Sequence, residues 1–220
     1  MACVLALDTS TAACSVALTI NNTIVEDFRV IPRIHNLKIL AIIDSLLAGH
    51  KVKLSQLDAI AYNYGPGSFT GLRIAAAISQ GLALAHQLPI IGISSLQALA
   101  VQAKTQFSCD KCISILPARA NFAYCSYYSL GKDTQLPVPE GKEQMIAIEK
   151  LAVPQQWQDY AVIGNLSTKL QGHLTLRTNN LELTTYPHAK DIALLALDKL
   201  KADNTSYHKI PNYINNQVTY

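Results

Sequence analysis

Residues whose types and spacing could do chemistry are few, and most lie in one stretch. NYGPGSFTGLR, from Asn63 to Arg73, sets Ser68 and Thr70 among Gly65, Gly67 and Gly71 ahead of an apolar run. Gly65-Pro66-Gly67 places a fixed φ between two permissive residues, which specifies a turn. Ser68 or Thr70 can then cap the helix that follows by accepting a backbone N–H. The same helix end, with its electropositive N–H groups, is a ready place for an anion. Gly71 is followed by Leu72-Arg73 and not by Lys-Ser or Lys-Thr, so this is no Walker A loop. Nor do its glycines follow the G-x-G-x-x-G order. On the residues alone, a structural turn built from Gly65, Pro66, Gly67, Ser68, Thr70 and Gly71 stands ahead of an anion site.

Other candidates are weaker. Asp8 closes an apolar run and precedes Thr9-Ser10-Thr11, where turn capping is its expected work. None of the six histidines has a second histidine four residues on, and no H-E-x-x-H occurs, so no metal site is expected. His35 reads as a capping or surface residue at a helix start. Cys109 and Cys112 form a C-x-x-C without a second ligand pair, leading into a strand and not a helix. The five cysteines are expected to be reduced and mostly buried. Ser68 lacks a G-x-S-x-G setting, and Phe69 is expected in a core by default. No catalytic residue and no cofactor is assigned.

The elements that must hold these residues follow from periodicity and punctuation. CVLALD, CSVALTI and TIVEDFRVI read as three strands joined by short turns, with Asn21-Asn22 as the second turn. His35–His50 reads as a helix ending at Gly49, AIAYNY as a strand, about Thr70 to Gln87 as a second helix, IIGIS as a strand and SSLQALAVQAKTQ as a third helix. This β-β-β-α-β-α-β-α order predicts a mixed sheet with helices on its faces. KCISILPA, NFAYCSYYSL, AVIG and the helix DIALLALDKLKA suggest a degenerate second copy.

Composition sets the outer limits. The chain has 220 residues, half of them hydrophobic and 15% charged, with 18 basic and 15 acidic side chains. Such a chain buries a core and carries no charge excess that announces nucleic-acid or membrane binding. No apolar run approaches the roughly 20 residues of a membrane span, and a cytoplasmic setting is expected.

The two long helices carry a further signal. Gly71, Ala75 and Ser79, and again Ala77, Gly81 and Ala85, repeat small residues at a spacing that lets helices approach closely. Ile39, Leu40, Ile43, Leu46 and Leu47 form a stripe, with Leu37 and Ile42 outside it and few polar residues in the helix body. Either the helix is sandwiched inside the molecule or its outer face meets another protein.

GPGSFTGLRIAAAISQGLALAHQLPIIGISSLQALA resembles the signature of the TsaB (YeaZ) family, and LALDTSTAACSVAL and RIHNLKIL resemble its opening and first-helix entry. The likeness runs through residues 1–103 and continues more weakly through PARANFAYCSYY and PNYINN. It implies a two-lobed α/β fold of the actin-like ATPase and sugar-kinase type, each lobe a mixed sheet with flanking helices, divided here as 1–103 and 104–220. It also implies a non-catalytic activating subunit for threonylcarbamoyl transfer to the tRNA adenosine beside the anticodon. The expected partners are a TsaD-like catalytic subunit and a TsaE-like ATPase, with tRNA met only through the complex and a homodimer formed by the chain alone. The partner face is expected on the first two long helices, at Leu37, Leu40, Ile43, Leu47, Arg73, Ala76, Ser79 and Gln80.

Kinase-like relatives want a glycine two residues after the first acidic residue, where this chain has Ser10. Members of the family often carry Asp-Ala-Arg where this chain has Pro117-Ala118-Arg119, followed by Ala120-Asn121, in which Asn121 is expected to take the positive φ. The family's closing Pro-x-Tyr-Leu-Arg is Pro211-Asn212-Tyr213-Ile214-Asn215 here. A self-sufficient kinase-like enzyme and a glycoprotease-like peptidase stand as alternatives, disfavoured by Ser10 and Pro117 and by the missing metal ligands.

Overall fold

In the computed structural model, residues 2–202 are described apart from 22, 131–135, 175 and 177. The chain starts as an antiparallel meander of β1 (Val4–Asp8), β2 (Ala13–Ile20) and β3 (Thr23–Val30). Asn21 takes φ 47° in the two-residue turn, a left-handed conformation that asparagine tolerates. Helix α1 (His35–Gly49) leads to β4 (Ala59–Gly65), and α2 (Phe69–His86) to β5 (Ile90–Ser94). Both β4 and β5 run parallel to β1, giving the order β3-β2-β1-β4-β5. Gly49 is the last residue of α1, but the left-handed residue beyond it is Lys51.

The two faces of this sheet differ in side-chain size. Leu5 and Leu7 of β1 pack with Val16 and Leu18 of β2 under Ile39, Ile42, Ile43 and Leu47 of α1. Each such aliphatic side chain withdrawn from water is worth about 1.5–3 kcal/mol. Alternation turns Ala6 to the other face, where it lies level with Ala17 of β2 and Ala61 of β4. A row of methyl groups across three strands lets a helix come close.

After α3 (Ser95–Gln106) the second sheet repeats the plan. β6 (Lys111–Pro117) and β7 (Phe122–Ser129) form the hairpin, and β8 (Val138–Pro139) and β9 (Gln144–Ala147) both pair antiparallel with β7. β10 (Ala161–Gly164) and β11 (Asn180–Glu182) then run parallel to β6, giving the order β11-β10-β6-β7-β8. This is the first sheet's scheme again, an antiparallel half followed by two parallel strands. Among the described residues between β10 and β11, the only helix is the four-residue α4 (Thr168–Gln171). Leu96, Leu99, Ala100 and Ala103 of α3 cover one face, and Trp157 and Tyr160 help to cover the other.

The last described helix, α5 (Ala189–Lys201), belongs with the first sheet and touches all five of its strands. The compact units are therefore residues up to Ser95 with the segment from Pro187, and Leu96–Tyr186. A single cut at 103/104 had put α5 in the second lobe and the start of α3 in the first. The anchor of α5 explains its place. Ser15 Oγ on β2 accepts the Ala189 N–H (2.9 Å) and donates to Glu26 Oε1 on β3 (2.7 Å). Glu26 also accepts the Lys190 N–H (3.1 Å) and pairs with His188 Nδ1 (2.9 Å), whose ring stacks on Phe28. A carboxylate thus caps the positive end of a helix 164 residues away. Burial alone would raise the Glu26 pKa, but the His188, Ser15 and Lys190 N–H bonds together hold it below the usual range.

Because its folded pKa is lowered, Glu26 contributes stability above the unfolded value of 4.5, and this is lost as pH falls through the lower folded value. Glu26→Gln is expected to cost about 2 kcal/mol at neutral pH and to flatten the acid side of the stability curve, read from urea unfolding across pH. An unchanged acid limb would show that Glu26 does not anchor α5.

Candidate functional site

The carboxyl ends of the adjacent parallel strands β1, β4 and β5 carry Asp8, Asn63 and the pair Ser94-Ser95, and Asp8, Asn63 and Ser95 join through Ser10 in one buried network. Asp8 Oδ1 accepts the Ser10 N–H at 2.7 Å, which is the turn capping expected of it. Asn63 Nδ2 donates to Ser10 Oγ (3.0 Å), and Asn63 Oδ1 accepts the Gly65 N–H (2.9 Å). Ser95 Oγ lies 2.6 Å from both Asn63 Oδ1 and the Pro66 carbonyl. Its single hydrogen serves one of them at a time. Asn63 and Ser95 were not singled out from sequence. The signal available was polar residues closing three apolar strand runs at the edge where α/β sheets place their sites.

The glycine loop is clamped onto the β1–β2 turn. Ser68 N–H donates to the Ser10 carbonyl (2.7 Å), Thr9 Oγ1 donates to the Gly71 carbonyl (2.7 Å), and Gly71 N–H donates to Ser68 Oγ (3.3 Å). Ser68 is therefore the cap of α2, and Thr70 lies in its first turn. Gly65 has φ 122°, and its peptide bond to Pro66 is cis. A Cβ on Gly67 would stand 2.5 Å from the Ser10 oxygen, and one on Gly71 1.8 Å from the Thr9 oxygen. Two carbonyl oxygens thus press against the loop, and an anion seated over this turn would meet their negative ends.

Asp8 is wholly buried, and its Oδ2 has no hydrogen-bond partner among the described residues. Burial lifts its pKa from 3.8 to about 6, against the pull of Ser10, Asn63 and His188. Burial likewise raises the thiols of Cys14, Cys112 and Cys125 to about 12, which leaves them protonated and inert. All five cysteines are free thiols, and the described residues contain no metal-binding cluster. No described helix is long and apolar enough to cross a membrane.

The expected partner residues separate into two sets. Leu37, Leu40, Arg73 and Gln80 are exposed, Leu37 at 70%. Ile43, Leu47, Ala76 and Ser79 are buried, so they cannot touch a partner directly. Ile42, expected outside the apolar stripe, lies in the core as well. Gly71 abuts the Thr9 backbone, and Ala75 and Ser79 are buried on a helix that packs chiefly on β4 and not on another helix. The outer faces are Leu37, Leu40, Ala41 and Ala48 on α1, and Phe69, Arg73, Ala77, Gln80 and Leu84 on α2. Phe69 stands out at 54% exposure under the Arg73 guanidinium, 3.7 Å from the ring centroid, and not in a core. Leu84, 83% exposed, was missed although it falls on the 73-77-80-84 stripe.

His35 is 7% exposed and does not cap α1, whose N-cap is Ile34 without a side-chain bond. In the second unit Pro117 ends β6, and Ala120, not Asn121, takes the positive φ, 49°. Pro211–Asn215 lies outside the described residues.

Two sheets of repeated plan, each an antiparallel hairpin half joined to parallel strands, define the actin-like ATPase and sugar-kinase class of fold. A family model described as TsaD, tRNA N6-adenosine threonylcarbamoyltransferase, matches residues 28–218. The tRNA threonylcarbamoyladenosine biosynthesis protein TsaB of Escherichia coli is 32% identical over 99% of this chain and 96% of its own length. That of Buchnera aphidicola subsp. Schizaphis graminum is 32% identical over 86% and 90%. The structure of YeaZ from Pseudomonas aeruginosa superposes with a TM-score of 0.90 at 34% identity, over 97% of this chain and 100% of that one. The chain belongs to the TsaB (YeaZ) family.

Two variants test the network. Gly71→Ala forces a methyl group into the Thr9 carbonyl and is expected to cost more than about 3 kcal/mol or to abolish folding, measured by urea unfolding. A folded state as stable as the parent would show that the clamp is loose. Asp8, with a raised folded pKa, stabilises fully below its unfolded pKa, and that stabilisation is lost as pH rises through about 6. Two pKa units correspond to about 3 kcal/mol, so the stability of Asp8→Asn relative to the parent is expected to rise by that order between about pH 4 and pH 7. A difference that ignores pH would refute the buried charge.

Proposed function

We propose that the chain is a non-catalytic scaffold and activating subunit in the formation of threonylcarbamoyladenosine on tRNA. It docks on a TsaD-like catalytic subunit, works with a TsaE-like ATPase, meets tRNA only through that assembly, and does so in the cytoplasm. The observation that carries this reading is the exposed apolar face shared by α1 and α2, with Leu37, Leu40, Phe69 and Leu84 open to solvent. Four large apolar side chains on neighbouring helices are a docking surface in search of a cover. The name of the Escherichia coli relative supports the pathway. The groups that would serve a catalyst are otherwise engaged: Asp8 and Ser10 hold a turn, and the glycine loop holds α2.

Burying about 300 Å² of this face is worth several kcal/mol by area before association costs. Without the catalytic subunit the same face pairs with a second copy in a symmetric dimer. Leu37→Glu and Leu84→Arg, both at exposed positions, are expected to leave the circular dichroism spectrum unchanged. Each should weaken homodimerisation, read by light scattering, and binding to the TsaD-like subunit, read by calorimetry, by about 2 kcal/mol or more. If both folded variants keep both associations, the helix pair is not the interface.

A further inference from the structure

The docking face is one-sided in charge. Apart from histidine, the formal charges on α1 and α2 are Lys38, Asp44 and Arg73, all exposed, so a lone carboxylate stands against a pair of cations. Arg73 lies among the apolar groups of that face. Phe69, Arg73, Ala77, Gly81 and Leu84 recur at helical spacing along the outer stripe of α2, and all are exposed. The Arg73 Cζ lies 3.7 Å from the centroid of the Phe69 ring, which is itself 54% exposed. A guanidinium laid on a ring is held in one place, with its in-plane N–H groups at the edges to meet a carboxylate. Gly81 lies on the same stripe. A Cβ there would meet nothing within 4 Å, so the chain's own packing gives no reason for a glycine in mid-helix, where it weakens the helix relative to alanine. A partner lying close over Gly81 and Ala77 strips water from Arg73 as well.

A guanidinium desolvated without a counter-charge is costly, and with one it discriminates between partners. We infer that this face selects an apolar surface that sets a carboxylate against Arg73, and so takes the catalytic subunit in preference to a second copy. A second copy brings the same charges across a two-fold axis. Cations then face cations, with Asp44 alone to offset them. The preference presupposes the docking proposed above and adds the chemistry that the partner brings to it. The two associations are opposed in their response to salt, because screening weakens the attraction of unlike charges and relieves the repulsion of like ones.

The test measures both associations of the full chain, with the TsaD-like subunit by calorimetry and with itself by sedimentation equilibrium, from about 50 to about 500 mM sodium chloride. Affinity for the catalytic subunit is expected to fall about tenfold or more over that range, while homodimerisation holds or strengthens. Arg73→Gln, at an exposed position, should weaken the heterodimer about tenfold or more at low salt, flatten its salt dependence and leave the homodimer unweakened. A heterodimer indifferent to salt, an Arg73→Gln chain that binds the catalytic subunit like the parent, or a homodimer that loses as much as the heterodimer would each overturn the inference. Leu37→Asn, which changes no charge, separates this from the docking reading. If it weakens both associations while Arg73→Gln weakens neither, the docking stands and the carboxylate does not. If Leu37→Asn weakens neither, the docking itself falls.

Discussion

Everything in the first unit depends on one close approach of backbone to backbone. The Thr9 and Ser10 carbonyls sit where side chains on Gly71 and Gly67 would have to be. Without a Cβ at either place, α2 begins hard against the end of β1, and Ser68 N–H and Thr9 Oγ1 fasten it there. That contact sets where α2 lies on β4, hence where its outer stripe points, and it places the α2 N-terminus beside that of α1. A loop of this composition invites a reading as a ligand cradle. Here its glycines serve proximity within the chain, and the Asp8–Asn63–Ser95 network behind them keeps the strand ends in register.

The same contact explains why two helices can be apolar on both sides. Small residues at Gly71, Ala75 and Ser79 are consumed by the approach to the sheet, and Ile39, Ile42, Ile43 and Leu47 fill the core beneath α1. Leu37, Leu40 and Leu84 are surplus to that core. Packing density inside is satisfied without them, so their exposure is a property of the surface and not a defect of the fold.

Strand and helix identities were legible because their periods and punctuation agree: two short turns in the opening meander, a proline after α2, and glycines ahead of it. The Ser68 cap was legible for the same reason. The phase of α1 was not, since apolar residues on both faces blur the stripe: Leu40 was grouped with the buried Ile39 and Ile43, and Ile42 was left out of the core it fills. Ser79 was misplaced because small-residue spacing reports close approach without saying to what; here it is β4. Asn63 and Ser95 look like ordinary strand ends until the parallel order β1-β4-β5 sets them side by side. The membership of α5 was invisible, because Ser15, Glu26 and His188 meet across more than 160 residues and no local pattern records that.

That long-range anchor shapes how the chain is made. On the ribosome, β1 to β5 emerge first, yet the alanine row of Ala17, Ala6 and Ala61 has no cover until α5 follows, after the whole of the second sheet. At common elongation rates this interval lasts on the order of 5–20 seconds. Throughout it the nascent first sheet exposes a smooth apolar face while Ser15 and Glu26 wait without their helix. Assembly of the first unit therefore cannot be completed until the segment carrying α5 has been made.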